Sequence, residues 1–252
     1  MNNLNLLILA IYIICVAYVI YQAMSSLDNK LTIQVNEALL KQELKSKNIQ
    51  DLVIINFGFA RRYQLDDLKQ LLVIVINISE QHAIYIDWDH CSITDLGGRS
   101  RRVIRLLPDM NFDLSQPQIF SVVAPKQILK ESLTAEDSLK RKPETGNLEI
   151  FTFLVNVSRL EKGSPADQKR YADFIALKTS LSFSVRLALR WSDYALFCKA
   201  DQLRATPDKS PPDNRVYVNC VFEIKKVPWT DALPWNQPKA PPKAPPKNKT
   251  KR

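Results

Sequence analysis

The chain has little of what catalytic sites are usually built from. Its 252 residues include two histidines, His82 and His90, five glycines and four cysteines. The sequence contains no GxSxG, HExxH or GxxxxGK[ST] pattern. It therefore offers no nucleophile elbow, zinc helix or phosphate loop. There is no CxxC pair either, which argues against a structural zinc site. Cys15 lies in an apolar run, and the remaining Cys91, Cys198 and Cys220 are odd in number, against a disulfide framework. A Cys198–Cys220 bridge would require an extracytoplasmic domain and neighbouring strands. Nothing in the sequence calls for a cofactor or a metal.

Acidic charge is missing from one end. The net charge is +9, and residues 236–252 hold Lys239, Lys243, Lys247, Lys249, Lys251 and Arg252 with no Asp or Glu. Six of the nine excess charges therefore lie in the tail, and +3 elsewhere is ordinary for a soluble domain. The basic balance is not a folded basic face, so specific nucleic-acid binding is not expected. The tail itself, NQPKAPPKAPPKNKTKR, has no apolar side chain larger than proline and cannot bury itself. It is expected to be disordered and partly polyproline II. Two partners suit it: an anionic lipid surface for its six cations, and a Pro-binding groove for the Pro238–Pro241 spacing.

What the sequence does have is one long apolar run. Residues 6–21, LLILAIYIICVAYVIY, are apolar without a break. With their flanks they reach the length of about 20 residues that a helix needs to cross a bilayer. MNNLN before the run has no Lys or Arg, and Cys15 is not preceded by small residues, unlike a signal peptide or a lipoprotein leader. We expect an uncleaved single transmembrane helix at residues 1–25. Lys30 and Lys41 follow it and only the α-amino group precedes it, which favours a cytoplasmic domain.

Residues 26–50 are expected to form a stalk or amphipathic segment, residues 51–229 a β domain, and residues 230–252 the disordered tail. In the β domain, DLVIINFGF and LLVIVINIS read as strands. SFSVRLALRW and RVYVNCVFEIKKV alternate cleanly, with Val185, Leu187, Cys220 and Phe222 among the inward residues. IFSVV reads as a strand before Pro125, and YALFCKA as another after Ser192-Asp193. LEIFTFLVNV is apolar on both faces and reads as a central strand. Ser164-Pro165-Ala166-Asp167 opens one short helix, running to about Leu177, with a serine cap, proline at the first position and an acid on the positive end of the dipole.

The stretch YIDWDHCSITDLGG packs Asp87, Asp89, His90 and Cys91 into five residues. Strand alternation puts Ile84, Ile86, Trp88 and His90 on one face and Tyr85, Asp87, Asp89 and Cys91 on the other. His90 is therefore expected to point away from the aspartates. Asp95-Leu96-Gly97-Gly98 reads as a turn returning the chain along RSRRVIRLL, a hairpin with a charged outer face.

The fold expected is mainly β: an immunoglobulin-like antiparallel β-sandwich with one short helix, a small β-barrel being the alternative. Asn77, Ser79, Ile84, Ile86, Trp88, Ser92, Asp95, Gly98, Arg102, Val103 and Ile104 resemble the pattern of uncharacterised bacterial membrane-tethered proteins, many of them lipoproteins. Gln116-Pro117 and Ala124-Pro125 resemble their later loops. The resemblance implies a membrane-tethered β-sandwich with no known activity. This chain has a span where they have a lipidated cysteine.

Together these features point to a membrane-anchored, non-enzymatic protein-interaction module, an accessory or assembly factor of a membrane complex. The alternative is a carrier of lipid or another small apolar ligand at the membrane.

Overall fold

The computed structural model describes residues 3–28, 30–108, 113–193, 215–228 and 231. Leu31–Lys226 forms one compact unit, and Met1–Lys30 with Val227–Arg252 forms the other.

In the terminal unit, helix α1 spans Asn3–Asp28. It contains an 18-residue window, Asn5–Gln22, long and apolar enough to cross a membrane. Such a helix serves either as an anchor or as a signal sequence. Just beyond it, Val227 N–H donates to Lys30 O at 2.8 Å.

The larger unit is mainly β. Its strands are β1 (Lys30–Val35), β2 (Val53–Gly58), β3 (Tyr63–Gln64), β4 (Leu71–Asn77), β5 (His82–Ile86), β6 (Ser92–Thr94), β7 (Ser100–Leu106), β8 (Ser121–Val123), β9 (Ile128–Ala135), β10 (Leu139–Arg141), β11 (Leu148–Ile150), β12 (Leu181–Asp193) and β13 (Val216–Lys226). Among the described residues eleven strands share one strongly curled sheet, a half-barrel, in the order β2-β4-β9-β7-β6-β12-β13-β1-β3. The remaining two of the eleven, β5 and β8, branch off β12. The hydrogen-bonded path runs unbroken through the β6–β7 hairpin.

The alternating strands occupy the places their patterns predict. β12 and β13 pair from Leu181↔Ile224 to Leu189↔Val216 and bury Phe183, Val185, Leu187, Val218, Cys220 and Phe222. Phe222 stacks on Phe183 at 4.8 Å and takes the edge of Phe57 at 4.7 Å. Phe57 belongs to β2, so the curl brings opposite ends of the path into one core. Helix α4 (Pro165–Ile175) starts at a capping box in which Ser164 and Asp167 satisfy each other's backbone N–H. It buries Phe174, while Leu177 is exposed.

Three expectations are corrected, and one strand that the sequence reading did not name is added. Of the two alternatives for residues 26–50, beyond Lys30 the amphipathic segment forms and the stalk does not: Leu31–Val35 pairs antiparallel with Phe222–Lys226, and helix α2 (Glu37–Ser46) buries Leu40 and Leu44. The partner strand lies nearly 200 residues downstream, out of range of any local pattern. LEIFTFLVNV is not a central strand: only Leu148–Ile150 is extended, paired with β10 in a separate two-stranded sheet. Beyond it, the N–H groups of Leu154 and Ser158 go to Leu68 O and the Asp66 carboxylate, and helix α3 (Ser158–Glu161) begins. β9, with its mixed sequence ILKESLTA, is a full strand between β4 and β7. Finally, the strand at Tyr85 stops at Ile86 and gives way to a 3₁₀ turn at Trp88–His90. The hairpin turn itself holds, with Asp95 Oδ1 accepting from Gly97 and Arg99 N–H and Gly98 at φ 81°.

Candidate functional site

The 3₁₀ turn decides what the Asp87–Cys91 cluster becomes. With about three residues per turn, positions i and i+3 fall on one side. His90 Nδ1 therefore lies 3.0 Å from Asp87 Oδ2, on the same side as the aspartate and not across the strand from it. Arg190 Nη2 donates to the same oxygen at 3.0 Å, and Arg215 Nη2 is 3.5 Å away. Burial pushes the Asp87 carboxyl up, but the hydrogen bonds and positive charges of His90, Arg190 and Arg215 outweigh it and hold the group below the usual value. Asp89 faces the other way: it pairs with Arg102 Nη2 and accepts from Gln118 N–H at 2.8 Å. Each carboxylate is thus tied to arginines, an arrangement that fastens three chain segments to one turn. Among the described residues no three His, Cys, Asp or Glu side chains converge as metal ligands do.

Cys91 is buried, accepts from Ala188 N–H at 3.3 Å and donates to Asp87 O. Burial, reinforced by Asp87 and Asp89, pushes its thiol up to about 12 despite that hydrogen bond. Cys220 is likewise pushed up to about 12, first by burial. Neither is an activated nucleophile.

Asn77 and Ser79 build a second polar joint. Asn77 Nδ2 donates to His82 O at 2.7 Å and Val123 O at 2.8 Å, and its Oδ1 accepts from Ser79 N–H. Ser79 Oγ accepts from Gln81 and His82 N–H. One buried amide thus joins β4, β5 and β8. Both residues are buried and hold the fold.

A polar cleft of about 480 Å³ lies beside the hairpin turn, lined among others by Arg99, Arg101, Asp137, Asn156 and Arg159. Arg101 donates to Asp137 Oδ1 at 3.2 Å and to Leu154 O, and Arg99 is 3.6 Å from Asp137. Its three arginines, Arg99, Arg101 and Arg159, are matched by three aspartates, Asp95, Asp137 and Asp167.

The feature that stands out is apolar. In β4, Leu71, Val73 and Val75 face the core, yet the alternate residues Leu72, Ile74 and Ile76 are apolar too. A strand apolar on both faces is normally covered on both. Here Ile54 of β2, Ile76 of β4 and Ile128 of β9 stand side by side on the outer face. Ile54 is 41% and Ile128 56% exposed. Toward β7 the outer face is covered: Ile104, Leu139 and Leu148 form a small second core with Ile150 of the β10–β11 hairpin. Toward β2, where the hydrogen-bonded path ends, the isoleucine row lies open. The sequence carried a signal for this, LLVIVI, but not the register that aligns three isoleucines.

The basic residues singled out in the tail, Lys239, Lys243, Lys247, Lys249, Lys251 and Arg252, lie outside the described residues, as do Cys198 and the YALFCKA strand. No family model matches the chain, and neither a curated protein nor a solved structure shows significant similarity to it.

Proposed function

We propose that the protein is a membrane-anchored, non-enzymatic interaction module, an accessory or assembly subunit of a membrane complex. Helix α1 is the anchor, and the open outer face of β2, β4 and β9 is the docking surface. The observation that carries this reading is the Ile54–Ile76–Ile128 row, an aligned apolar strip running to a sheet edge. Contiguous apolar surface of this kind marks interaction sites more often than it decorates a free monomer. Its polar rim includes Asn56 and Lys130 on the same face. The partner is a second protein of the same membrane presenting an apolar strand or helix face.

The hydrogen-bonded path ends at β2 and at β3 without pairing them, which favours taking the curl as an opened immunoglobulin-like sandwich over a closed barrel. That fits the resemblance to tethered bacterial β-sandwich proteins. Lys30 and Lys41 after the span favour a cytoplasmic domain. An apolar-ligand carrier is less favoured, because aromatic and aliphatic side chains fill the concave side of the curl.

Site-specific photo-crosslinking from position 128 of the full chain in native membranes tests the reading. A discrete protein adduct that disappears when Ile54→Lys is added supports it. Adducts to lipid alone, or an adduct indifferent to Ile54→Lys, contradict it.

A further inference from the structure

The outer face of β4 leads from the isoleucine row into a pocket. Ile76, Ile74 and Leu72 point outward in turn, and the register lays a rung of residues across each. The first rung is Ile54–Ile76–Ile128, the next Asn56–Ile74–Lys130, the last Gly58–Leu72–Ser132. At the last rung a pocket of about 450 Å³ opens, lined by Gly58 and Leu72 and flanked by Tyr63 and Ile150. Ile150 belongs to the β10–β11 hairpin, so the pocket lies where the cover of the second core ends. Glycine suits position 58, because a Cβ there would come within 2.6 Å of Leu72 Cδ2. The first and last rungs are four residues apart along β4, about 13 Å at the usual rise. Lys130 stands between them, exposed and, among the described residues, without an ion-pair partner.

We propose that this face receives an amphipathic helix of the partner protein. The helix seats one apolar side chain in the pocket at Gly58, Leu72 and Ile150, lays a second on the isoleucine row, and sets a carboxylate between them on Lys130. The inference rests on the reading of this face as the docking surface. A helix is favoured over a strand by its backbone. The N–H and C=O groups of β4 lie in the plane of the sheet and are spent on β2 and β9. An extended segment lying on the face would find no partners there for its own backbone groups. A helix satisfies its backbone internally and offers side chains alone, the usual mode for an apolar groove. About eight helical residues rise 12 Å, which matches the spacing of the two rungs. The carboxylate follows from charge: a partner without one would cover Lys130 and leave it unpaired. The pocket gives one apolar side chain a place to be fully desolvated, as anchoring residues of interfaces are.

The test places a photo-crosslinker in turn at positions 70 and 128 of the full chain in native membranes. Gln70 lines the pocket and Ile128 ends the row, and both are exposed. The labelled sites on the partner are mapped by mass spectrometry, and a carbodiimide is used to join Lys130 to any carboxylate in contact with it. The expected result is that both positions label one segment of one protein, at sites about seven or eight residues apart as a helix requires. Carbodiimide should couple Lys130 to an acid between those sites, and Lys130→Glu should reduce both photo-adducts several-fold. Labelled sites about four residues apart would mean an extended segment and overturn the proposal. So would a position 70 that labels nothing or a different protein, or adducts indifferent to Lys130→Glu, while position 128 still gives its protein adduct. Those outcomes overturn this inference alone. No protein adduct from position 128 overturns the docking surface and this inference together.

Discussion

The indole N–H of Trp88 donates to Ser121 Oγ at 2.9 Å, across 33 residues of sequence. The same oxygen accepts from Arg105 Nη1 at 2.9 Å, and Arg105 reaches on to Glu131. Trp88 is fully buried in the 3₁₀ turn, so this hydroxyl is what allows a large ring with a polar edge to sit in the core. Ser121→Ala should leave the indole N–H unpaired and cost about 2 kcal/mol. Ser121→Thr should cost less. Chemical denaturation of the detergent-solubilised chain, followed by tryptophan fluorescence, measures both.

Asn77 is the corresponding joint at the other end of β5. Its amide N–H groups donate to carbonyls of two segments, and its oxygen accepts from the N–H of Ser79. Asn77→Asp keeps the size but replaces the donor with a buried carboxylate facing two carbonyls. We expect a loss of about 3 kcal/mol at neutral pH, partly recovered in acid where the carboxyl protonates. Equal stability of the two proteins at neutral pH would contradict the joint.

Asp87 sets an acid-side dependence of stability. Its carboxyl sits below the usual value in the folded chain, because His90, Arg190 and Arg215 outweigh its burial. Its contribution is therefore fully present above the unfolded value, about 3.9, and is lost as pH falls through the lower folded value. Asp87→Asn should lower stability at pH 7 by about 1 kcal/mol. It should also flatten the decline below pH 4. Parallel acid denaturation curves for the two proteins would show the carboxylate to be a bystander.

The thiols of Cys91 and Cys220 are expected to be silent in the folded state. Both are buried and pushed up to about 12. In a Cys15→Ser/Cys198→Ser background, maleimide should label neither at pH 7.5 and both after denaturation. Rapid labelling of the native chain would mean that the β6–β12–β13 region opens readily.

How much of this was legible depended on the range of the physics involved. β12 and β13 were readable because inward and outward residues alternate without interruption, and α4 because Ser164, Pro165 and Asp167 are a local start signal. Ile33 and Val35 fit a strand, but β1 could not be joined to the domain from its own sequence, because its hydrogen bonds go to β13. β9 was hidden by Lys130 and Glu131 in its own sequence. The segment after Ile150 looked like a strand, but its backbone N–H groups are taken by Asp66 and Leu68. His90 was placed on the wrong side because a single 3₁₀ turn changes the side-chain period from two to three. The apolar outer face was half visible in LLVIVI; the alignment of Ile54, Ile76 and Ile128 came only with the register.

That row carries the central claim, and the size of the assembly tests it most directly. The full chain would be extracted from its native membrane in mild detergent and sized beside an Ile54→Lys/Ile128→Lys variant. Both positions are already exposed, so the double variant should fold and remain in the membrane. The prediction is that the native chain migrates in a larger complex and the variant migrates at the size of the lone chain in its micelle. If the native chain already migrates alone, or the variant stays in the larger complex, the outer isoleucine face is not the docking surface.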